Sequence, residues 1–308
     1  MKPWQADIFI LISSIFWGFA YIFNRWALLY CSPALFVFFR FALAALAAGL
    51  ILHKSIRLTS PLRRRQGLIL GLLMGCGYIL QIFSVNFTQV ARSAFISSMF
   101  LLAVPIMGFL IFRDIIKIPN LIGVVLAAIG LYIFLDPNFS GVNAGDVMAF
   151  ASIPMWALYM IYLSVYTKQD HEKDSSLQFL FWQLIGLLPV SLLTYLVFES
   201  GLFLSPLHPD LGKGLTITPM FLTGLSFTAF LCSILAVFLQ TRFQKYTTAV
   251  QAANCYQIQP IIATLAAFFI LGEPLKNRTI IGGAIIIAAL LCSEVGGVLM
   301  DKKKAPQS

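Results

Sequence analysis

The sequence has few charged residues and lacks the features of a soluble enzyme. Charged side chains make up 11% of its 308 residues, whereas about a quarter is usual in soluble globular chains. It has 12 acidic residues, three histidines and five cysteines, and their spacing fits no metal site, catalytic triad or disulfide framework. The absence of a nucleotide-binding loop excludes ATP-driven pumping by this chain alone. We therefore expect no cofactor, no metal and no enzymatic activity.

Apolar sequence dominates instead. Hydrophobic residues make up 59% of the chain and the mean hydropathy is +0.88. A helical segment of about 20 apolar residues matches the thickness of a bilayer core. Ten such segments are present, at 7–28, 34–53, 67–87, 92–112, 119–135, 145–166, 176–198, 218–240, 248–271 and 278–298. The sequence predicts an all-α integral membrane protein with ten transmembrane helices in a lipid bilayer.

The net charge of +9 indicates membrane orientation rather than nucleic-acid binding. With a cytoplasmic N-terminus, fifteen of the 21 basic residues fall on the inner side, four on the outer side, and Arg25 and Arg40 inside spans. Lys and Arg favour cytoplasmic loops. We therefore predict a multi-pass protein of the cell (plasma or inner) membrane with both termini cytoplasmic and a basic tail at 301–308. Nucleic acid is not an expected partner.

The two halves of the chain resemble each other. Under a shift of 155 residues, Ile79, Leu80, Phe83, Gln89 and Pro105 fall on Ile234, Leu235, Phe238, Gln244 and Pro260. This pattern predicts two five-helix repeats, at 1–136 and 137–300. Because five is odd, the repeats run in opposite directions across the bilayer. Inverted repeats place a substrate site near the midplane and permit alternating access.

Several motifs carry a family resemblance over nearly the whole chain. They are Phe16-Trp17-Gly18, Phe39-Arg40-Phe41, the small and polar starts of the fourth and ninth spans before Pro105 and Pro260, and Leu271-Gly272-Glu273-Pro274-Leu275. With these the chain resembles the ten-span EamA-type group of the drug/metabolite transporter superfamily. The fourth span departs from the pattern, because it ends in Phe112-Arg113-Asp114 about one helical turn earlier. The resemblance implies export or uptake of small organic metabolites.

Polar residues at helical spacing predict the lining of a central cavity. The candidate residues are Trp17, Tyr21 and Asn24 in the first span, Tyr78 and Gln81 in the third, Ser93 and Ser97 in the fourth, Trp156 and Tyr159 in the sixth, and Gln251, Asn254 and Gln257 in the ninth. The alternative is that these side chains only join or pack the helices. Pro154, Pro189 and Pro260 each remove a helical hydrogen bond, and serve either as gating hinges or as fixed kinks.

Arg25 and Arg40 lie within spans, where an ionisable group is costly. Three interpretations are open. The side chains extend to lipid phosphates, satisfy carbonyls and helix ends inside the bundle, or bind a carboxylate or phosphate of the substrate.

The acidic residues of the spans lie near span ends, with none near a midplane. Small multidrug exporters of the same superfamily use a glutamate in the first span, which this sequence lacks, so proton-coupled export of cationic drugs is disfavoured. Our hypothesis is a secondary transporter (exporter, facilitator or exchanger) of a small metabolite such as an amino acid or organic anion. The alternatives are a cationic-drug exporter and a non-transporting sensor or assembly protein. The sequence leaves the substrate, direction, coupling ion and oligomeric state open.

Overall fold

The computed structural model describes residues 3–113, 118–135, 141–168, 175–202, 212, 214–246, 255–256 and 258–304. Every regular element in these residues is helical, which confirms the all-α prediction. The α-helices are α1 (Pro3–Ala27), α2 (Pro33–Arg57), α3 (Pro61–Phe87), α4 (Val90–Ser98), α5 (Phe100–Phe112), α6 (Ile118–Leu135), α7 (Ala144–Lys168), α8 (Ser175–Phe198), α9 (Pro219–Ser226), α10 (Val237–Phe243), α11 (Ile258–Ala266) and α12 (Asn277–Lys304). A π-helix, Phe227–Ala236, joins α9 to α10, and a second, Ala267–Leu271, extends α11.

The helices match the predicted spans. Within the described residues, seven helical segments are long and apolar enough to cross a membrane, and three shorter ones coincide with the fifth, ninth and tenth predicted spans. Large apolar side chains such as Leu50, Ile51 and Phe269 are more than two-thirds exposed. In water such a surface would be unfavourable, whereas in a bilayer it contacts lipid tails.

Helix starts follow local chemistry. Pro33, Pro61 and Pro219 begin α2, α3 and α9, where their missing N–H costs no intrahelical hydrogen bond. Thr218 caps α9 by accepting the N–H of Phe221 at 3.1 Å. Ser60 caps α3 in the same way, by accepting the N–H of Arg63 at 3.3 Å, so each side chain satisfies one free donor of its helix start.

Two of the predicted spans are not continuous α-helices. The fourth breaks between α4 and α5 at Met99, and the eighth contains the ten-residue π-helix. Within the π-helix the Ser233 hydroxyl donates to the carbonyl of Thr228, five residues earlier, at 3.0 Å. π-helical turns of this kind often mark functional sites. Ser98 and Phe100, on either side of the break in the fourth span, line the central cavity described below, and so does Val237, directly after the π-helix.

Helices from the two halves of the chain pack between one another. The first span (α1) contacts the eighth and ninth, and the sixth (α7) contacts the third and fourth. The second span packs on the seventh and the fifth on the tenth. If each span is replaced by its counterpart in the other half, the first by the sixth and so on, the same contacts result. Helices α3 and α8 approach each other closely, because a Cβ on Gly71 would lie 2.7 Å from the Cα of Gly186.

Two carboxylates tie the halves together at one end of the bundle. Glu199, after α8, accepts the backbone N–H groups of residues 34–35 at 2.8 and 3.2 Å. Glu273 accepts those of residues 90–91 at the same two distances. Each carboxylate caps a helix start of the other half, where the helix dipole favours negative charge. We call this end of the bundle, with turns 28–32, 88–89, 199–202 and 272–276, the clamp end.

Candidate substrate cavity

A cavity of about 60 Å³ lies in the interior of the bundle. Its lining comprises Trp17, Ala20, Tyr21, Asn24, Arg40, Met74, Tyr78, Gln81, Ala94, Ser97, Ser98, Phe100, Trp156, Tyr159, Met160, Val237, Gln240, Tyr256 and Gln259. Both halves of the chain contribute to this wall. The volume holds a few water molecules, so a metabolite would enter only as side chains or helices move.

Arg40 is the charged residue of this wall. Its side chain is 1% exposed. Its Nε donates to Ser233 Oγ at 2.8 Å, and its Nη groups donate to Asn24 Oδ1 at 3.5 Å and to the Tyr78 hydroxyl at 3.3 Å. The guanidinium carbon also lies 4.8 Å from the centre of the Tyr78 ring. These contacts orient the guanidinium, and none of them supplies a negative charge.

No carboxylate among the described residues pairs with Arg40. The ion pair present in that part of the chain joins Arg92 to Asp146, at the clamp end. A guanidinium has five N–H donors, and the contacts above occupy three. A buried cation with unused donors beside a cavity is a ready partner for an anionic group, to which Arg can donate two parallel hydrogen bonds.

Aromatic and amide groups form the rest of the polar wall. Gln81 donates to the Tyr21 hydroxyl at 2.7 Å, and Tyr159 donates to Gln183 Oε1 at 2.8 Å. Trp17 Nε1 donates to the carbonyl of Cys232 in the π-helix at 3.0 Å, which joins α1 to the second half. The cavity therefore has a wall of rings and amides around one cation.

Trp156 contributes a buried donor of a different kind. Its indole N–H has no acceptor among the described residues. Its ring makes an edge contact with Tyr78, at 4.9 Å between centroids. The ring thus packs against the same tyrosine that holds Arg40.

The structure brings most of the predicted site residues together. Nine of the predicted cavity residues line this central cavity: Trp17, Tyr21, Asn24, Arg40, Tyr78, Gln81, Ser97, Trp156 and Tyr159. Arg25 lines a different cavity, at the clamp end. Ser93 is buried and bonds Ser84 at 2.8 Å, outside this lining. Gln251, Asn254 and Gln257 lie outside the described residues.

The candidate hinge prolines occupy different positions. Pro154 and Pro189 lie inside α7 and α8, and Pro260 lies in the first turn of the described part of α11. The structure adds Ser233, Gln240 and Tyr256 to the predicted polar set. Ser233 and Gln240 are seven residues apart, which is two turns of a regular helix, so their spacing indicates a common helix face.

Arg25 has surroundings unlike those of Arg40. Its Nη1 donates to the carbonyls of Val85 and Asn86, at 2.7 and 3.0 Å, at the C-terminal end of α3. Carbonyls in the last turn of a helix have no N–H partner within the helix. Arg25 therefore ties α1 to the end of α3, which corresponds to the second of the interpretations open from the sequence.

Comparison with known proteins assigns the family. The sequence model of the EamA-like transporter family matches the chain twice, over residues 4–135 and 143–294. The chain belongs to the EamA-like transporter family. This membership makes it a multi-pass membrane protein of a transporter family and implies a non-enzymatic role.

Individual relatives agree with this assignment. An uncharacterized transporter of Archaeoglobus fulgidus is 24% identical over 291 residues, covering 94% of this chain and 86% of that protein. The uncharacterized transporter YyaM of Bacillus subtilis is 22% identical over 302 residues, 94% of each chain. A solved crystal structure with 13% identity superposes with a TM-score of 0.65 over 99% of this chain and 100% of its own, which shows a shared fold.

Proposed function

We propose that this EamA-like protein is a secondary transporter of a small organic anion or zwitterion, whose carboxylate or phosphate binds Arg40. The observation that carries the proposal is the burial of Arg40 beside the cavity with no carboxylate partner among the described residues. An unpaired charge inside a membrane bundle is expensive, so its retention points to a use in binding or transport.

The chemistry of the wall is consistent with an anionic group. A cationic solute would meet the positive charge of Arg40, and the lining residues that the structure describes include no acid to offset it. Amide groups in the same wall, those of Asn24, Gln81 and Gln240, can donate to or accept from the remainder of a solute. The rings of Trp17, Trp156 and Tyr256 offer apolar contact.

Alternating access is the mechanism we propose. The helix contacts keep the same pattern when each span is replaced by its counterpart in the other half, and the family's sequence model matches each half separately. Both observations support two repeats, 1–136 and 137–300, that we propose to be inverted and to rock around Arg40. The distribution of basic residues supports placing the chain in the cell membrane with both termini cytoplasmic and the clamp end outside.

The test is transport by the purified protein in liposomes of neutral lipid. A thermal-stabilisation screen at constant ionic strength, covering carboxylates, phosphate esters, amino acids and quaternary ammonium cations, would select the solute. Counterflow of the labelled solute would then measure its movement. We expect an anion or a zwitterion to stabilise the protein and to exchange, and quaternary cations to do neither.

Two results would contradict the proposal. Exchange of quaternary cations, with no anion or zwitterion recognised, would favour a cation exporter. Binding of an anion without counterflow would favour a sensor or an assembly protein.

A further inference from the structure

A second and larger cavity opens at the clamp end, with a volume of about 590 Å³. Its lining includes four cationic side chains and one carboxylate: Arg25, Arg92, Lys276, Arg278 and Glu273. Backbone and polar groups of the turns after α3 and before α7 complete the wall. The excess of positive charge in a concave space makes a positive local potential, which concentrates anions.

The carboxylate offsets only part of this positive charge. Both oxygens of Glu273 accept backbone N–H groups at the start of α4. Asp146 pairs with Arg92, whose Nε lies 3.2 Å from Asp146 Oδ1. Among the described residues, no acid pairs with Arg25 or Lys276. Positive charge from these two residues therefore remains available in the cavity.

Free donors accompany the charge. Arg25 uses only Nη1 for its two carbonyls, which leaves its Nε and Nη2 N–H groups without an acceptor in the part of the chain described. Arg92 keeps its Nη1 group, since Nε and Nη2 hold Asp146 and the carbonyl of Gly141. Guanidinium and ammonium donors on several sides of one space are the groups that recognise carboxylate and phosphate.

The second cavity also lies next to the central one. Along α1, Asn24 lines the central cavity and Arg25 the outer one, and along α4, Arg92 lines the outer cavity and Ala94 the central one. On α3 the corresponding positions are Gln81 and Asn86. The same three helices therefore line both spaces, which places the outer cavity next to the central one, on the clamp-end side.

We propose that the cavity lined by Arg25, Arg92 and Lys276 is a second anion-binding site, at which a carboxylate- or phosphate-bearing solute docks before reaching, or after leaving, Arg40. Its role in transport rests on the proposed function. Such a site raises the local concentration of an anionic solute at the mouth of the pathway and lowers that of cations. Because the site is open to solvent, its affinity should fall steeply with ionic strength.

Lys276 provides a direct reporter of occupancy. In uncharged detergent, its acylation by an amine-reactive reagent is followed by mass spectrometry with inorganic phosphate or succinate present, and chloride holds the ionic strength constant. We expect an anion at twice its Kd to slow acylation of Lys276 about threefold, as simple occupancy requires. Lys245, whose ammonium lies 5.2 Å from the Tyr246 ring in the segment after α10, is the internal reference and should not change.

A variant and its matched control assign the protection to the cavity. Thr279 lines this space in the first turn of α12, so T279E adds a carboxylate there at a helix start that tolerates one. Protection of Lys276 should disappear. L58E adds the same charge to a turn residue after α2 that is 80% exposed and lies at the far end of the bundle, and protection should persist.

The outcomes separate this inference from the proposed function. An unprotected Lys276 in the wild type overturns the second site, even if anions are transported. Protection lost equally in T279E and R40Q overturns it too, because the anion would then act from the central cavity. Protection that persists in R40Q and is lost in T279E supports the site. If that protection occurs in a protein that moves no anion or zwitterion, the site stands and the transport proposal fails.

A lipid headgroup carries the same phosphate chemistry, so a second arm tests the source. The acylation is repeated in nanodiscs of phosphatidylcholine and of phosphatidylglycerol. We expect soluble phosphate to protect Lys276 in both. If phosphatidylglycerol alone protects Lys276 and soluble phosphate adds nothing, the site binds lipid and the proposed docking of a solute is wrong.

Discussion

Arg40 and Arg25 lie in successive apolar helices but have different surroundings. Arg40 is held by a serine, an asparagine and a tyrosine side chain, and it borders an internal cavity. Arg25 donates to two main-chain carbonyls at a helix end and borders an open cavity. The comparison shows that Arg40 is held by side chains beside an internal space, whereas Arg25 is anchored to the main chain at a helix end.

The largest expected effect comes from replacing Arg40 by lysine. An ammonium keeps the charge but cannot reach Ser233, Asn24 and Tyr78 together, nor donate two parallel hydrogen bonds to a carboxylate. Losing one or two charge-assisted hydrogen bonds should reduce kcat/KM for anion exchange about 100-fold. R25K keeps a positive charge in the outer cavity, so we expect it to lower exchange by only about threefold. R64K is the matched control away from both cavities, because the exposed Arg64 at the start of α3 lies over the Trp182 ring, and its exchange should equal that of the wild type.

Folding must be equal for this comparison to hold. Size-exclusion profiles and thermal melting of R40K and R25K in detergent provide the check. Equal losses of exchange in two well-folded variants would remove the distinction between the two arginines.

A second expected effect concerns stability and falls on Arg25. R25Q leaves the carbonyls of Val85 and Asn86 without their shared donor, and it unties α1 from α3. We expect a loss of about 1 to 3 kcal/mol, seen as a lower melting temperature, with the KM for the solute less affected than in R40K. An unchanged melting temperature would show that water replaces the guanidinium at no cost.

The sequence predicted much of this comparison, because helical periodicity is a local property. Trp17, Tyr21 and Asn24 follow one stripe of the first span and all line the central cavity. The different roles of the two arginines were not predictable, since Ser233, the nearest partner of Arg40, lies 193 residues away. The spacing of polar residues cannot report such a contact.

The interrupted helices were also missed, for a physical reason. The segment Phe227–Ala236 contains neither glycine nor proline, the residues that usually mark an irregular helix. Its π-helical form accompanies a side-chain bond from Ser233 to a carbonyl five residues earlier and tertiary contacts with Trp17 and Arg40. An apolar run predicts that a helix crosses the membrane but not which of its hydrogen bonds shift.

A smaller effect should follow from Tyr78, which holds Arg40 in two ways. Y78F removes the hydroxyl that accepts an Nη N–H at 3.3 Å but keeps the ring under the guanidinium. The loss of one hydrogen bond to a charged group, partly offset by the retained ring contact, should lower kcat/KM about five- to tenfold. Y30F is the control, because the Tyr30 hydroxyl contacts Met220 Sδ at 3.7 Å, away from the cavity. Equal rates in Y78F and the wild type would indicate that the hydroxyl does not orient Arg40.

The smallest effect concerns Glu199, one of the two carboxylates of the clamp end. Burial raises the pKa of Glu199 to about 7, although the N–H groups of Ala34 and Leu35 and the Ser32 hydroxyl oppose the shift. The neighbouring Cys31 thiol is the other titratable group facing it. Between the ordinary pKa of 4.5 and about 7, the folded protein keeps a proton that the unfolded chain releases. Stability from this group therefore falls as pH rises through that window and is level above it.

Melting temperatures of the wild type and E199Q, measured from pH 4.5 to 8.5, test this sign. We expect the wild type to lose a few degrees relative to E199Q as pH rises to about 7, because glutamine cannot titrate. Parallel curves for the wild type and E199Q would mean that Glu199 does not take up a proton in this window, so that the backbone N–H groups outweigh burial there.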